Sequence, residues 1–440
     1  MKRIPLDPKM DPYELFAASR DEHPNAFLLE SLTGPERLRE HTILGFDPEM
    51  VLSYQGGVLR RNGDAIKTDR PLAALRTLLR EEATPDIPGA FVGGLVGYVS
   101  FEFVRNLEPV PVHPDSAFPE FEFGLYRDGV VFDHVRRTAE YFTQGPSRLE
   151  DLPKPRVSDR DFSANPPKAE GRPEDFRAAV ERAKAYIRAG EVFQVVLSRR
   201  ARGTLSGDPL AFYEALRQVN PSPYMYYLDF GARRVIGSSP EMLLRVQGRT
   251  ATTFPIAGTR PAGRSPLEAR RLAQDLLSDE KERAEHTMLV DLARNDLGKV
   301  CAFGTVRVPQ FMHVERFSHV QHLVSRVEGT LAPDKDGLDA FAAVFPAGTV
   351  SGAPKPRALE IIHELEGAAR GPYAGVVGYF SLNGNMDTAI AIRTLFANGP
   401  TYYLQAGAGI VADSDPDREY AETDQKLGGL RAALQEAVAP

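Results

Sequence analysis

The chain has 440 residues, enough to bury a large core and to divide into two or three units or form one intertwined fold. Hydrophobic content of 42%, charged content of 26% and a net charge of -7 describe an ordinary globular composition, and the acidic balance excludes nucleic acid as an expected partner. The lone Cys301 excludes an internal disulfide, no window reaches the length of a membrane span, and no apolar run follows the basic N-terminus, so a cytoplasmic protein without membrane attachment is expected.

Residues 1–145 alternate short apolar runs with Gly and Pro: FLLES, HTILGF, VLSYQGGVLRR, FVGGLVGYVSFEFV and GVVFDHV. This is strand-rich patterning, with hairpin turns predicted at Gln55-Gly56-Gly57 and Arg127-Asp128-Gly129. Residues 146–173 are polar and crowded with proline, which marks a connector. Residues 174–440 form the second region. Its first helix carries Phe176, Val180, Ala183 and Ile187 at helical spacing and ends at Gly190. Strands VFQVVLSRR, YMYYLDF and RVIGSSPEMLLRV follow, then the loop TTFPIAGTRPAG. A helix from about Ser278 to Asn295 puts Glu282, Glu285 and Leu289 on one face. After it come strand HVQHLVSRVEGT, the loop FPAGTVSGAPK running into a helix, and strands VVGYFSL and AIAIRTLF flanking Asn383-Gly384-Asn385. Strands joined by hairpins or single helices predict an α/β fold of the α+β type, with large, mostly antiparallel sheets between outer helices. The two regions are expected to pack as one intertwined unit.

The last stretch, QAGAGIVADSDPDREYAETDQK, reads as a glycine hairpin followed by an acidic helix. Gly407, Ala408 and Gly409 let the backbone approach a ligand, and amides exposed there suit an oxyanion. Asp415 caps a helix opened by Pro416, on which Glu419, Glu422 and Lys426 share a face. Two carboxylates facing an anion-binding turn are compatible only if a divalent cation joins them to the ligand, so an anionic substrate bridged by Mg2+ is expected. The G-x-G-x-x-A spacing also fits a dinucleotide fingerprint, but that motif must open a helix at once, and Ile410-Val411 do not. A solvated acidic face is the bland alternative. A phosphate-loop reading of GTVSGAPK fails because no Lys-Ser/Thr pair follows the second glycine.

Five segments in order, PIAGTRPAG, EHTMLVDLARNDLG, FPAGTVSGAPK, GNMDTAIAIRT and QAGAGIVADS, resemble the chorismate-utilising enzymes. The resemblance is strongest to the large component of the anthranilate-forming members. It covers nearly all of Phe176 to Leu434, and FLLES and GGLVGYVSFEFVR more thinly. It implies that family's fold, and that Glu285 and Glu422 hold Mg2+ against the ring carboxylate of chorismate, with Glu282 and Glu419 in support. Arg393, Tyr373, Lys426 and the amides of Gly407 to Gly409 would meet the other carboxylate, a planar Arg fork and a Lys charge being suited to it. Alone, Arg393 could be a surface arginine, but its apolar neighbours place it at a buried strand, where a charge requires a partner.

The implied reaction adds ammonia at ring C2, expels the C4 hydroxyl and eliminates pyruvate to leave anthranilate, the first committed step of tryptophan biosynthesis. Expelling hydroxide needs a proton donor, a role the resemblance gives to Glu241. It makes His322, otherwise an ordinary core histidine, the group that assists removal of the C2 proton. Thr349, Gly258 and Thr259 would orient the ring. Members that add water carry a lysine where this chain has Gln194, and glutamine cannot deprotonate water. Members that form aminodeoxychorismate place a lysine nucleophile where this chain has Ala257. Both substitutions favour ammonia attack.

Leu28-Leu29-Glu30-Ser31, completed by Pro223, Tyr224 and Met225, resembles the family's tryptophan feedback site, although the arginine that usually follows is replaced within His41 to Phe46. Nothing resembles a glutaminase, so a separate glutamine amidotransferase subunit is expected as partner. The alternatives are aminodeoxychorismate synthase and a tryptophan-binding regulator without catalysis.

Overall fold

A computed structural model describes residues 1–34, 38, 40–154, 160–316 and 320–438, so part of the proline-rich connector lies outside the described residues. Two sheets, of 13 and 12 strands, organise the chain, and every pairing among the described residues is antiparallel. This is the predicted architecture. In the first sheet the strands before the connector end at Phe27–Glu30, which pairs with Tyr224–Phe230 from the second region. In the second sheet the junction is Gly94–Val99 against Val376–Ser381. Each sheet therefore joins five strands from before the connector to strands that lie within or after it.

Period-two patterning sends alternate side chains to opposite faces. Tyr226 and Leu228 join the core between the sheets, while Met225 and Tyr227 join a second core. That second core is closed by helices Pro12–Glu22, Leu210–Val219 and Pro416–Val438, through residues such as Phe16, Leu216, Leu427 and Leu430. The first two of these helices, and Pro71–Glu81 and Pro266–Ser278, are not among the predicted elements, although Pro71 and Pro266 open two of them at the first helical turn.

Four predicted elements are corrected. RVIGSSPEMLLRV is two strands, Arg233–Ser239 in the first sheet and Met242–Gln247 in the second. AIAIRTLF is likewise divided between Met386–Ile390 and Thr394–Asn398. Arg127 joins strands of different sheets rather than closing a hairpin. The glycine turn at Gly407 to Gly409 is instead part of strand Thr401–Ile410, with Gly407 opposite Ser198 and Gly409 opposite Val196. The breaks fall at Pro240-Glu241 and at Ile392-Arg393, half-buried positions where a proline, an acid or an arginine interrupts the run. The turns at Gly56-Gly57 and Gly384 do form, with φ of 58°, 84° and 86°.

Helix Pro416–Val438 contains Gly428-Gly429, and nothing in the structure explains Gly428, since a Cβ there would meet no atom within 4 Å. Gly428→Ala should therefore stabilise the protein by about 1 kcal/mol through helix propensity alone. Denaturant unfolding measures this, and a neutral or destabilising result would show a hidden need for glycine.

Candidate active site

The two sheet crossings bring the site together. The link Ser239–Met242 carries Glu241, and the link Ile390–Thr394 carries Arg393 at φ 52°. The crossings bond to each other: Ile390 N–H donates to Glu241 O at 3.0 Å, and Ser238 N–H donates to Arg393 O at 3.2 Å. Burial pushes the Glu241 carboxyl up to about 7, against the opposing effects of a Thr349 hydrogen bond and of the Lys426 and Arg393 charges. Thr349 Oγ1 donates to Glu241 Oε1 at 2.8 Å. Burial lowers the pKa of Arg393, and Glu241 raises it.

His322, on strand Val320–Thr330, faces the same charge: burial and Arg393 both hold its imidazole below its ordinary value. Its Nδ1 donates to Gly258 O at 2.7 Å, which places the proton there and makes Nε2 the basic nitrogen. Thr259 Oγ1 lies 3.2 Å from Nδ1. Gly258 has φ 64°, which favours glycine, and a Cβ there would stand 3.0 Å from Glu282 Oε2. The IAGT segment lies at a bulge in strand Ile256–Pro261 rather than in the predicted loop, and it touches both the histidine and the first acidic helix.

That helix is Glu280–Gly298, capped by Asp279, whose carboxylate accepts from Lys281 N and Glu282 N. The second acidic helix is capped by Asp415, which accepts from Asp417 N and Arg418 N. The two helix starts converge. Burial raises Glu285, and Glu282 and Glu422 raise it further. Glu419 is raised by burial and by Glu422, and Lys281 acts on both Glu285 and Glu419. Lys426 Nζ lies 2.7 Å from Glu422 Oε1 and donates to Gly407 O at 2.9 Å. Glu282 is partly neutralised by Arg260 Nη1 at 3.2 Å.

These acids suit a hard divalent ion: they are oxygen donors from two walls, and the raised Glu285 and Glu419 would gain from a nearby cation. Among the described residues, no group of three or more His, Cys, Asp or Glu is arranged to hold a metal by itself. The donor set fits an ion that takes part of its shell from protein carboxylates and the rest from water and a ligand oxyanion, as Mg2+ commonly does.

Beyond Leu404, strand Thr401–Ile410 no longer pairs with Thr394–Asn398, so residues 405–410 have one ladder neighbour only. Gly407 and Gly409 thus lie on a strand edge that Thr394–Asn398 leaves unpaired, with protein side chains close against them. Tyr373 Oη would be 2.9 Å from a Cβ on Gly407, and the Gln194 amide packs against Gly409. Gln194 is 4% exposed, and its Oε1 has no hydrogen-bond partner among the described residues. Ala257 is buried. A cleft of about 430 Å³, lined by Glu241, Thr349, Leu289, Leu292 and Asp296 among others, opens beside the acid.

A second cavity of about 540 Å³ lies between the sheets and is lined by Glu30, Ser31, Tyr224 and Met225. Pro223 accepts from Ser31 Oγ at 2.6 Å, and Glu30 sits opposite Met225. The Glu30 carboxylate is held by Arg217 at 2.9 and 2.8 Å and by Tyr213 Oη at 3.0 Å, so it reaches the cavity already paired. Arg245 and Asp387, paired at 2.7 Å, also line this cavity and were missed by sequence reasoning. An arginine inside the apolar run MLLRV is the signal for the first. Arg245 puts a guanidinium in the cavity wall, where Asp387 and Glu40 balance its charge.

Residues 24–432 match the family described as chorismate binding enzyme. The chain belongs to that family. It is 47% identical to anthranilate synthase component 1 of Methanothermobacter thermautotrophicus, over 97% of this chain and 92% of that one. With anthranilate synthase component 1 of Thermus thermophilus the identity is 45%, over 97% and 96%. Among solved structures, anthranilate synthase component I from Streptococcus pneumoniae superposes with a TM-score of 0.80 at 39% identity, covering 91% of this chain and 93% of that one.

The raised Glu241 carries a stability signature. Its folded value of about 7 exceeds the ordinary 4.5, so its contribution is fully present below 4.5 and lost as pH rises through 7. Glu241→Gln should therefore gain stability over the parent progressively between those values and keep the gain at higher pH. Melting curves across that range test this, and a constant difference would contradict a buried, neutral acid.

Proposed function

We propose that this protein converts chorismate and ammonia to anthranilate, pyruvate and water. The observation that carries the reading is the convergence of Glu241, Arg393, His322 and Thr349 with acids from two helices, in a chain whose relatives are named anthranilate synthase component 1. Bound Mg2+, held by Glu285 and Glu422 with Glu282 and Glu419 near it, would neutralise the ring carboxylate of chorismate. Arg393, Lys426 and Tyr373 bind the enolpyruvyl carboxylate against the open edge at Gly407, Ala408 and Gly409. Glu241, still protonated near neutral pH, delivers its proton to the departing C4 hydroxyl, and Thr349 keeps the acid pointed at that oxygen. Neutral His322 accepts the C2 proton at Nε2 as pyruvate leaves. Gln194 supports nitrogen entry, because its amide offers an acceptor to ammonia but no base for water.

Ammonia would come from a glutamine amidotransferase subunit. Tryptophan is proposed to occupy the cavity at Ser31, Tyr224 and Met225 and to inhibit. Cytoplasmic location is part of the same reading. No helix among the described residues is long and apolar enough to cross a membrane.

With chorismate, ammonium and Mg2+, mass analysis should find anthranilate and pyruvate in equal amounts; an aminated product that retains its pyruvyl ether would instead mean aminodeoxychorismate synthesis. Glu422→Ala should reduce turnover by at least about 100-fold while leaving the circular dichroism spectrum unchanged. Turnover that survives both this change and removal of Mg2+ by chelation would refute the metal assignment.

Ser31→Leu fills the second cavity and should raise the tryptophan concentration for half-inhibition by about tenfold or more. Unaltered inhibition would place tryptophan elsewhere.

A further inference from the structure

The segment GGLVGYVSFEFVR has no part in the chemistry above, yet it supplies a buried carboxylate aimed at the substrate wall. Glu102, in the 3-10 helix Phe101–Asn106, is 4% exposed. Its Oε1 accepts from Arg370 N at 2.6 Å and its Oε2 from Gly371 N at 3.0 Å. Burial pushes this carboxyl up to about 7, opposed by those backbone bonds and by the Arg370 charge.

Arg370 is 1% exposed, and its guanidinium lies 4.5 Å over the Phe101 ring. It forms a fork with Glu366, Nε to Oε2 at 2.8 Å and Nη2 to Oε1 at 2.6 Å. Its remaining donors reach Val350 O at 2.7 Å and Val196 O at 2.8 Å. Glu366 Oε1 in turn accepts from Ser198 N at 2.6 Å and Ser198 Oγ at 2.9 Å.

Every end of this network stands beside a proposed chorismate contact. Val350 follows Thr349. Val196 lies opposite Gly409 and Ser198 opposite Gly407. Arg370 and Gly371 open the turn that delivers Tyr373. A buried cluster of two acids and one arginine is a poor stabiliser compared with apolar packing, so stability alone is a weak reason for its presence. What it does provide is a fixed geometry among three separate chain segments.

We propose that Glu102, Arg370 and Glu366 are positioning residues for the reaction: they lock the Thr349 turn, the Tyr373 turn and strand Gln194–Gly207 into the arrangement that receives chorismate. The inference rests on the chorismate reading above. Misplacement of such walls by a fraction of an ångström lowers kcat/KM without loss of fold.

Two variants test it, with calorimetric chorismate binding, steady-state kinetics on ammonium and melting temperature measured for each. Glu102→Gln keeps the volume but sets an amide N–H2 against a backbone donor, and should raise the chorismate KM about tenfold. Ser198→Ala removes a hydroxyl that donates to Glu366 at 2.9 Å and accepts from Gln405 at 2.8 Å, and should raise KM about threefold. A cluster that served stability alone would lower the melting temperature and leave KM untouched. Parent values of KM and kcat in folded Glu102→Gln would overturn the inference, and should that variant not fold, parent values in Ser198→Ala would overturn it. A parent protein that does not bind chorismate would sink the underlying reading instead.

Discussion

The constraint on which this structure depends is the mutual support of two sheet crossings. A backbone leaving one sheet for another loses ladder partners, and its polar groups must be satisfied some other way. Here the two crossings satisfy one another, through Ile390 N to Glu241 O and Ser238 N to Arg393 O. That solution fixes an acid and an arginine in the gap between the layers. Among the described residues no ion pair joins Glu241 to Arg393, although each shifts the other's titration. Titratable groups that are near but not paired are held ready for a ligand, and sites of this kind gather shifted pKa values.

The acidic side of the site follows the same logic. Helices Glu280–Gly298 and Pro416–Val438 both begin at an aspartate cap, and each carries acids in its opening turns where the helix dipole favours them. Convergence of the two starts then makes the acids repel. Lys426 relieves part of this by lying between Glu422 and the Gly407 carbonyl. A divalent ion on Glu422 would release that lysine towards a substrate carboxylate, so binding of metal and of anion would favour each other.

Much of this was legible in the sequence, and what was not has a physical reason. The acidic helices could be placed because caps and helical spacing act locally, whereas Gly258, Thr349 and His322 were named only through the family resemblance. Glu241 was named through the resemblance and Arg393 through its apolar neighbours, yet their position at layer crossings was hidden because a short polar break, SSPE or RT, does not say that the chain changes sheet. The supposed glycine turn at Gly407 is a strand because Gln194–Gly207, some 200 residues earlier, pairs along its whole length. Arg245, Asp387, Glu102 and Arg370 matter only through partners distant in sequence, and no spacing rule encodes such partners.

The interleaving of the two halves also has a mechanical consequence. Strands Met242–Gln247 and Met386–Ile390 are paired, with Arg245 opposite Asp387. One end of this pair reaches Glu241 and Arg393, and the other forms the wall of the cavity at Ser31. Arg245 is four residues from Glu241 and Asp387 six from Arg393, spans of about 13 and 20 Å along an extended chain. A ligand that engages the Arg245–Asp387 pair thus acts on the same two strands that set the separation of the acid and the arginine. It can change turnover only if its affinity differs between two arrangements of those strands, so inhibition from this cavity requires the crossings to have a second, less competent spacing.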